Sequence, residues 1–248
     1  MVDYEPLAFG VGALIATPSG GSPLEFGVLQ EVSLTFDATD KPLFGSKKFA
    51  VATATSQIKV TGKAKAAHFR AKLFNAIFFN ISGTTGQKLF AYEEAGTVPG
   101  SVAYTITVTN SAAFSSDLGV KYAATGKPLT KVASAPAVGQ YSVSAGVYTF
   151  ASGDASTAML LSYVYTQSST GLSSVITNQM SGVQPNFRLD GYAVNGADDT
   201  KQLSYILHRC IATKLMLGMK NDDWMIPDFE FTATVGANDI LGEFNSAA

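Results

Sequence analysis

The sequence predicts a mainly β fold with one α-helix and an inserted small β-sandwich module. Three observations carry that prediction. Segments in which apolar and polar side chains alternate every second residue recur along the chain, one stretch alone has a helical period, and the region from Val98 to Thr170 shifts to short aromatic and β-branched runs. With 248 residues the chain suits one large β-rich domain or a domain carrying an insertion. The hydrophobic fraction of 46% is ordinary, whereas the charged fraction of 15% is low against about 25% in typical soluble domains. A chain so lightly charged either hides surface in an assembly or is secreted.

The first expected element is an apolar, Gly-interrupted strand from Leu7 to Thr17, ended by the turn Pro18-Ser-Gly-Gly-Ser-Pro23. In Glu31-Val-Ser-Leu-Thr-Phe-Asp37 the apolar face is Val32, Leu34 and Phe36, and the polar face is Glu31, Ser33, Thr35 and Asp37. The run from Gln57 to Lys65 mirrors it: Ile58, Val60 and Ala64 on one face, and Gln57, Lys59, Thr61, Lys63 and Lys65 on the other. If these strands pair antiparallel, carboxylates face ammonium groups on one solvated surface, each opposite pair contributing roughly 0.2 to 1 kcal/mol.

Between them, Ala38 to Ser56 reads as a long loop, beyond the roughly 12 to 15 residues that connections usually reach and therefore functional or disordered. Its section from Lys41 to Thr55 is rich in Ala, Thr and Val and holds Phe44 and Phe49, so left mobile in water it would expose apolar surface. Contact between subunits is the expected role, with Lys41, Phe44, Lys47, Lys48, Phe49 and Val51 as its residues.

After Lys65 the pattern turns helical through Ala66 to Asn80, with Phe69, Leu73, Phe74, Ile77, Phe78 and Ile81 on one half of the wheel and His68, Lys72 and Asn75 on the other. Phe79 projects among the polar residues, as an ordinary exposed aromatic or as a further interface anchor. A short strand, Lys88 to Tyr92, closes this first part of the core.

In the inserted region, Tyr104 to Val108, Val120 to Tyr122, Gly139 to Val143, Val147 to Phe150 and Met159 to Tyr165 read as short strands spaced by turn residues. The expected division is a discontinuous core of 1–97 and 171–248 with a module of 98–170 between its parts. The core then resumes with strands at Phe187 to Tyr192, Gln202 to Leu217, Phe229 to Val235 and Ile240 to Phe244, with turns at Asn195-Gly-Ala-Asp-Asp199 and Asn221-Asp-Asp223.

The same residues exclude several function classes. A formal net charge of −2 leaves no basic footprint for tight nucleic-acid binding. The N-terminal Met-Val-Asp-Tyr-Glu-Pro is acidic where a signal peptide is basic, and no apolar run approaches the ~18 residues of a membrane span. Cys210 is the single cysteine, expected to be a buried, inert thiol. His68 and His208 stand apart in the sequence, and the doublets Glu93-Glu94, Asp198-Asp199 and Asp222-Asp223 fall in expected turns where solvated carboxylates are common. No phosphate loop, nucleophile elbow or metal-ligand spacing occurs, so the chain is expected not to be an enzyme, with no catalytic residues, metal or cofactor.

The order of the core elements resembles the tail tube proteins of tailed bacteriophages. The likeness rests on a strand ending in Asp37, a long connection with Gly45-Ser-Lys-Lys-Phe49, the strand Ile58-Lys-Val-Thr-Gly-Lys-Ala-Lys65, and then a helix. The closing stretch Asn221-Asp-Asp-Trp-Met-Ile-Pro-Asp-Phe-Glu-Phe-Thr-Ala-Thr-Val235, followed by Ala237-Asn-Asp-Ile-Leu-Gly242, is similar to that family's last strands. The inserted region, with Gly139-Gln-Tyr141 and Gly146-Val-Tyr-Thr-Phe150, looks like a small β module of phage structural proteins.

The resemblance implies a sandwich or barrel-like core related to the type VI secretion tube protein. It implies subunits forming rings, commonly hexameric, stacked into a hollow tube that passes DNA. Implied partners are other copies of the chain, the tape measure, the baseplate or tip, the terminator and a sheath, with no membrane; the implied location is the virion tail after assembly in the host cytoplasm. It also turns the polar face toward the lumen, making Glu31, Ser33, Thr35, Asp37, Gln57, Lys59, Thr61, Lys63 and Lys65 lumen-facing candidates. The competing readings are another virion β protein, such as a capsid decoration or tail terminator subunit, and a soluble sugar-binding module or enzyme.

Overall fold

The computed structural model describes residues 10–182, 184–195 and 198–246. In chain order the strands and helix of the first part are β1 (Leu14–Pro18), β2 (Leu24–Glu25), β3 (Leu29–Phe44), β4 (Ala50–Ala66), α1 (Ala71–Phe79) and β5 (Thr84–Thr97). They continue as β6 (Thr105–Thr107), β7 (Phe114–Tyr122), β8 (Thr130–Lys131), β9 (Gln140–Ser144), β10 (Val147–Phe150) and β11 (Ala158–Ser173). The last are β12 (Phe187–Asn195), β13 (Asp198–Met216), β14 (Asp228–Thr234) and β15 (Gly242–Ser246). The fold is mainly β, and the chain divides into one compact unit of 1–83 with 174–248 and a second of 84–173.

The first unit holds a sheet in the order β2-β1-β12-β13-β14-β4-β3, with β15 also paired to β13. Its core centres on Phe229, whose ring lies 5.2 Å from Phe26, 5.8 Å from Phe231, 5.9 Å from Phe78 and 6.0 Å from Phe74. The helix buries Leu73, Phe74 and Ile77 against this core, each worth about 1.5 to 3 kcal/mol relative to exposure. It ends at Asn80, whose φ of 51° is left-handed and whose N–H donates to Ala76 O, a cap that asparagine tolerates. Gly62 is required by close approach: a Cβ there would stand 2.1 Å from the Phe231 ring opposite it. Cys210 is fully buried, and that burial, with Asp190 adding, pushes its thiol up to about 12.

In the second unit a three-stranded sheet, β5-β11-β7, and a four-stranded sheet, β6-β10-β9-β8, bury one core. Val120, Met159, Leu161 and Tyr163 enter it from the first sheet, Tyr141, Tyr148 and Phe150 from the second. Polar groups inside are bonded. Asp117 accepts from the Tyr141 hydroxyl at 2.8 Å, the Tyr148 hydroxyl at 2.9 Å and the Gly119 N–H at 3.1 Å.

Several expectations need correction. The boundary at 98–170 cuts through paired strands, because β5 lies against β11 from Thr97↔Ala158 to Thr84↔Ser173; pairing, not the composition change near Gly96, defines the second unit. Glu93 and Glu94 sit in β5, not in a turn: Glu93 occupies a bulge with φ 58° and pairs with Lys121, and Glu94 accepts from Tyr163 and Thr109. The helix is shorter than its periodic stretch, starting after Arg70, while Phe69 stacks on Phe74 at 5.0 Å from outside it. The expected strand from Leu7 begins at Leu14 among the described residues, and its first part through Phe9 lies outside them. The turn residues Gly196 and Ala197 also lie outside, between the paired Asn195 and Asp198.

Candidate functional site

The main correction concerns Ala38 to Ser56. This stretch is not a loop but the outer part of a β-ribbon, in which β3 and β4 pair from Leu29↔Ala66 to Phe44↔Ala50. Alternation is weak here because neither face is buried. Residues 50–59 are exposed on both faces, as are residues 35–44, so no apolar-in, polar-out pattern marks the strands.

Neighbouring strands support only the base of the ribbon. β14 pairs β4 from Lys65↔Asp228 to Val60↔Ala233 and no further. Beyond that point, among the described residues, each strand of the ribbon has only the other as partner. The outer ribbon carries large apolar side chains into solvent: Phe49 is 87% exposed, Val51 73%, Leu43 65% and Phe44 60%. A two-stranded hairpin alone in water is at best marginally stable. Lys41 stands on β3, and Lys47, Lys48 and Phe49 lie on the connection from Gly45 to Phe49. Phe79 belongs elsewhere, at the end of α1, its ring 6.0 Å from Phe78 and its carbonyl accepting from Gln179.

The polar-face residues do come together. Glu31 stands opposite Lys65, Ser33 opposite Lys63, Thr35 opposite Thr61, Asp37 opposite Lys59 and Thr39 opposite Gln57. The Lys65 ammonium meets Glu31 at 2.5 Å. Lys63 turns instead to β14, donating to the buried Asp228 carboxylate at 2.8 Å. That bond holds the Lys63 pKa above its ordinary value; burial works against the shift, and the Asp228, Glu230 and Glu31 charges reinforce it. Lys214 meets Glu230 at 3.0 Å. On this face Lys63, Lys65 and Lys214 are each neutralised by a carboxylate, while Lys59 stands opposite Asp37 in the ladder.

Sequence reasoning missed Asp228, Glu230 and Lys214, although the alternation of Phe229 and Phe231 already placed Asp228 and Glu230 on the opposite face of their strand. It also missed two exposed apolar side chains between β13 and β14, Trp224 at 87% and Met219 at 83%. The chain's one tryptophan, next to Asn221-Asp-Asp223, was the available signal.

Among the described residues no group of three or more His, Cys, Asp or Glu side chains is arranged to hold a metal ion. No helix among them is long and apolar enough to cross a membrane. Comparison with protein-family models and with curated proteins finds no match to this chain.

Proposed function

We propose that the chain is a structural subunit that polymerises through its β3–β4 ribbon, as stacked rings, into the hollow tail tube of a bacteriophage. One observation carries the polymerisation. A β-ribbon with Leu43, Phe44, Phe49 and Val51 in solvent lacks the third strand or covering layer that ribbons need, and a neighbouring subunit supplies it. The order of β3, the connection from Gly45 to Phe49, β4 and α1 supports the tail tube assignment by resemblance, and so does the low charged fraction of 15%. In this reading rings are hexameric, DNA passes through the bore, the tube meets tape measure, baseplate or tip, terminator and sheath proteins, and the protein resides in the virion tail.

Negative-stain microscopy of the purified protein at rising concentration tests the proposal. Long hollow filaments are expected, and deleting Ser46 to Ala54 should leave a folded subunit, by far-UV circular dichroism, that forms none. Discrete closed particles favour another virion subunit. A stable monomer at every concentration, or filaments from the deletion variant, overturns the reading.

A further inference from the structure

The outer ribbon has two free edges, and they differ. Pro42 on β3 stands opposite Thr53 on β4. Proline has no N–H and fits inside a ladder only where its nitrogen faces away from the partner strand. Opposite residues of an antiparallel pair share this orientation, so Thr53 also directs its backbone outward, away from β3. The next pair in that row is Asp40 with Thr55.

The outward row of β3 is therefore blunted. Pro42 removes a donor, and Asp40 and Lys41 bring charges to the edge; proline and charge are the devices by which proteins keep exposed edges from pairing. β4 has neither. From Ala50 to Ile58 it carries no proline and no charged residue, and its outward N–H groups at Thr53 and Thr55 face solvent beside small side chains. This edge also continues a used one, since β14 occupies the same side of β4 up to Val60↔Ala233.

We infer that the β4 edge from Ala50 to Gln57 takes up one strand of a second copy of the chain by backbone pairing, while the β3 edge stays unpaired. The inference rests on the self-assembly reading and specifies where it acts. An added strand prolongs the ladder position that β14 leaves at Val60 and turns the two-stranded ribbon into a three-stranded sheet. Two β4 edges paired with each other would close a symmetric dimer, whereas a strand from a different part of the second copy leaves each subunit a further site and lets the assembly grow.

Hydrogen exchange followed by mass spectrometry, on dissociated and assembled protein, reads this directly. Amides of Ala50 to Gln57 should exchange at least about tenfold more slowly after assembly, while those of Asp40 to Phe44 change little. Thr53→Pro removes an outward donor without touching the bonds to β3, and should abolish assembly with the circular dichroism spectrum retained. Pro42→Val, which restores a donor on the other edge, should assemble as before. If the wild-type protein never associates, the self-assembly reading fails and this inference with it. If it associates while the β4 amides exchange as in the free subunit, or if Thr53→Pro assembles normally, this inference fails and the self-assembly reading stands. Should Thr53→Pro misfold, the exchange measurement on the wild type decides alone.

Discussion

Thr84 and Ser173 face each other as the last pair of the β5–β11 ladder, and the Thr84 hydroxyl donates to the Ser173 carbonyl at 3.4 Å. The two ends of the second unit therefore lie about 5 Å apart, the separation of an antiparallel pair. A unit whose ends meet and whose core is its own can be removed without stretching the rest of the chain. Replacing 84–173 by a short Gly-Ser linker should leave the first unit folded, with a single cooperative thermal transition and its capacity to associate. Replacing 98–170 instead should leave insoluble protein, because it keeps β5 without most of β11. An unfolded product from the first replacement would make the second unit part of the main core.

Asp117 ties the two sheets of the second unit together. Its carboxylate, 5% exposed, lies on β7 and binds hydroxyls of Tyr141 on β9 and Tyr148 on β10, with Lys131 at 3.1 Å. Asp117→Ala strands two buried hydroxyls and should cost about 3 kcal/mol, whereas Tyr148→Phe, which removes one donor and leaves the acceptor bonded, should cost about 1 kcal/mol. Urea denaturation followed by tyrosine fluorescence measures both. Equal losses would show that ring packing, not the carboxylate, joins the sheets.

The same network sets how that unit responds to pH. Burial, with Asp117 adding, raises the Tyr141 and Tyr148 hydroxyls above their ordinary 10.0. A raised pKa in the folded state gives stability that is complete below the unfolded value and is lost as pH climbs past it. Glu94 moves the other way: burial pushes its carboxyl up, but hydrogen bonds from Tyr163 and Thr109 outweigh it and leave the pKa below 4.5. Its contribution is present above 4.5 and lost as pH falls through the folded value. The urea midpoint of the isolated second unit should therefore drop above 10 and below 4.5, with the acid limb shallower in Glu94→Gln. An alkaline limb unchanged in Tyr148→Phe would dissociate these hydroxyls from it.

Legibility in the sequence followed burial. Where a strand has one dry face, as in Val60 to Lys65 or Phe229 to Ala233, alternation revealed both the strand and its polar side, and the register that sets Glu31 against Lys65 follows from two matching patterns. Where both faces are wet, as from Ala38 to Ser56, the composition of Ala, Thr and Val looks like a connection, and the outer parts of two strands carry no alternation to mark them. The extent of the second unit was hidden differently: Thr84 to Thr97 is recognisable as part of it only through β11, some distance along the chain. Asp228 escaped because its partner Lys63 lies on another strand, which no local spacing reveals.

The pairing of these lysines leads to the last prediction, which presumes the tube. A channel for a polyanion must not hold it, and each lysine free to neutralise a phosphate adds affinity that falls with salt. Lys63 and Lys65 are occupied by Asp228 and Glu31, so neither offers a polyanion a free positive charge. Glu31→Gln with Asp228→Asn frees both ammonium groups while keeping side-chain size. Tubes of that double variant should form and retain duplex DNA in co-sedimentation, and the dependence of log affinity on log salt should steepen by about 1.8, two lysines at about 0.9 each. Lys63→Gln and Lys65→Gln added to the variant should abolish the retention, separating freed charge from a change of shape. The orientation is checked independently by labelling assembled wild-type tubes with an amine reagent too bulky to enter the bore. Reaction at Lys59, Lys63 and Lys65 in intact tubes would place the face outside, and DNA retention by the variant would then report binding to the outer wall, ending the lumen assignment.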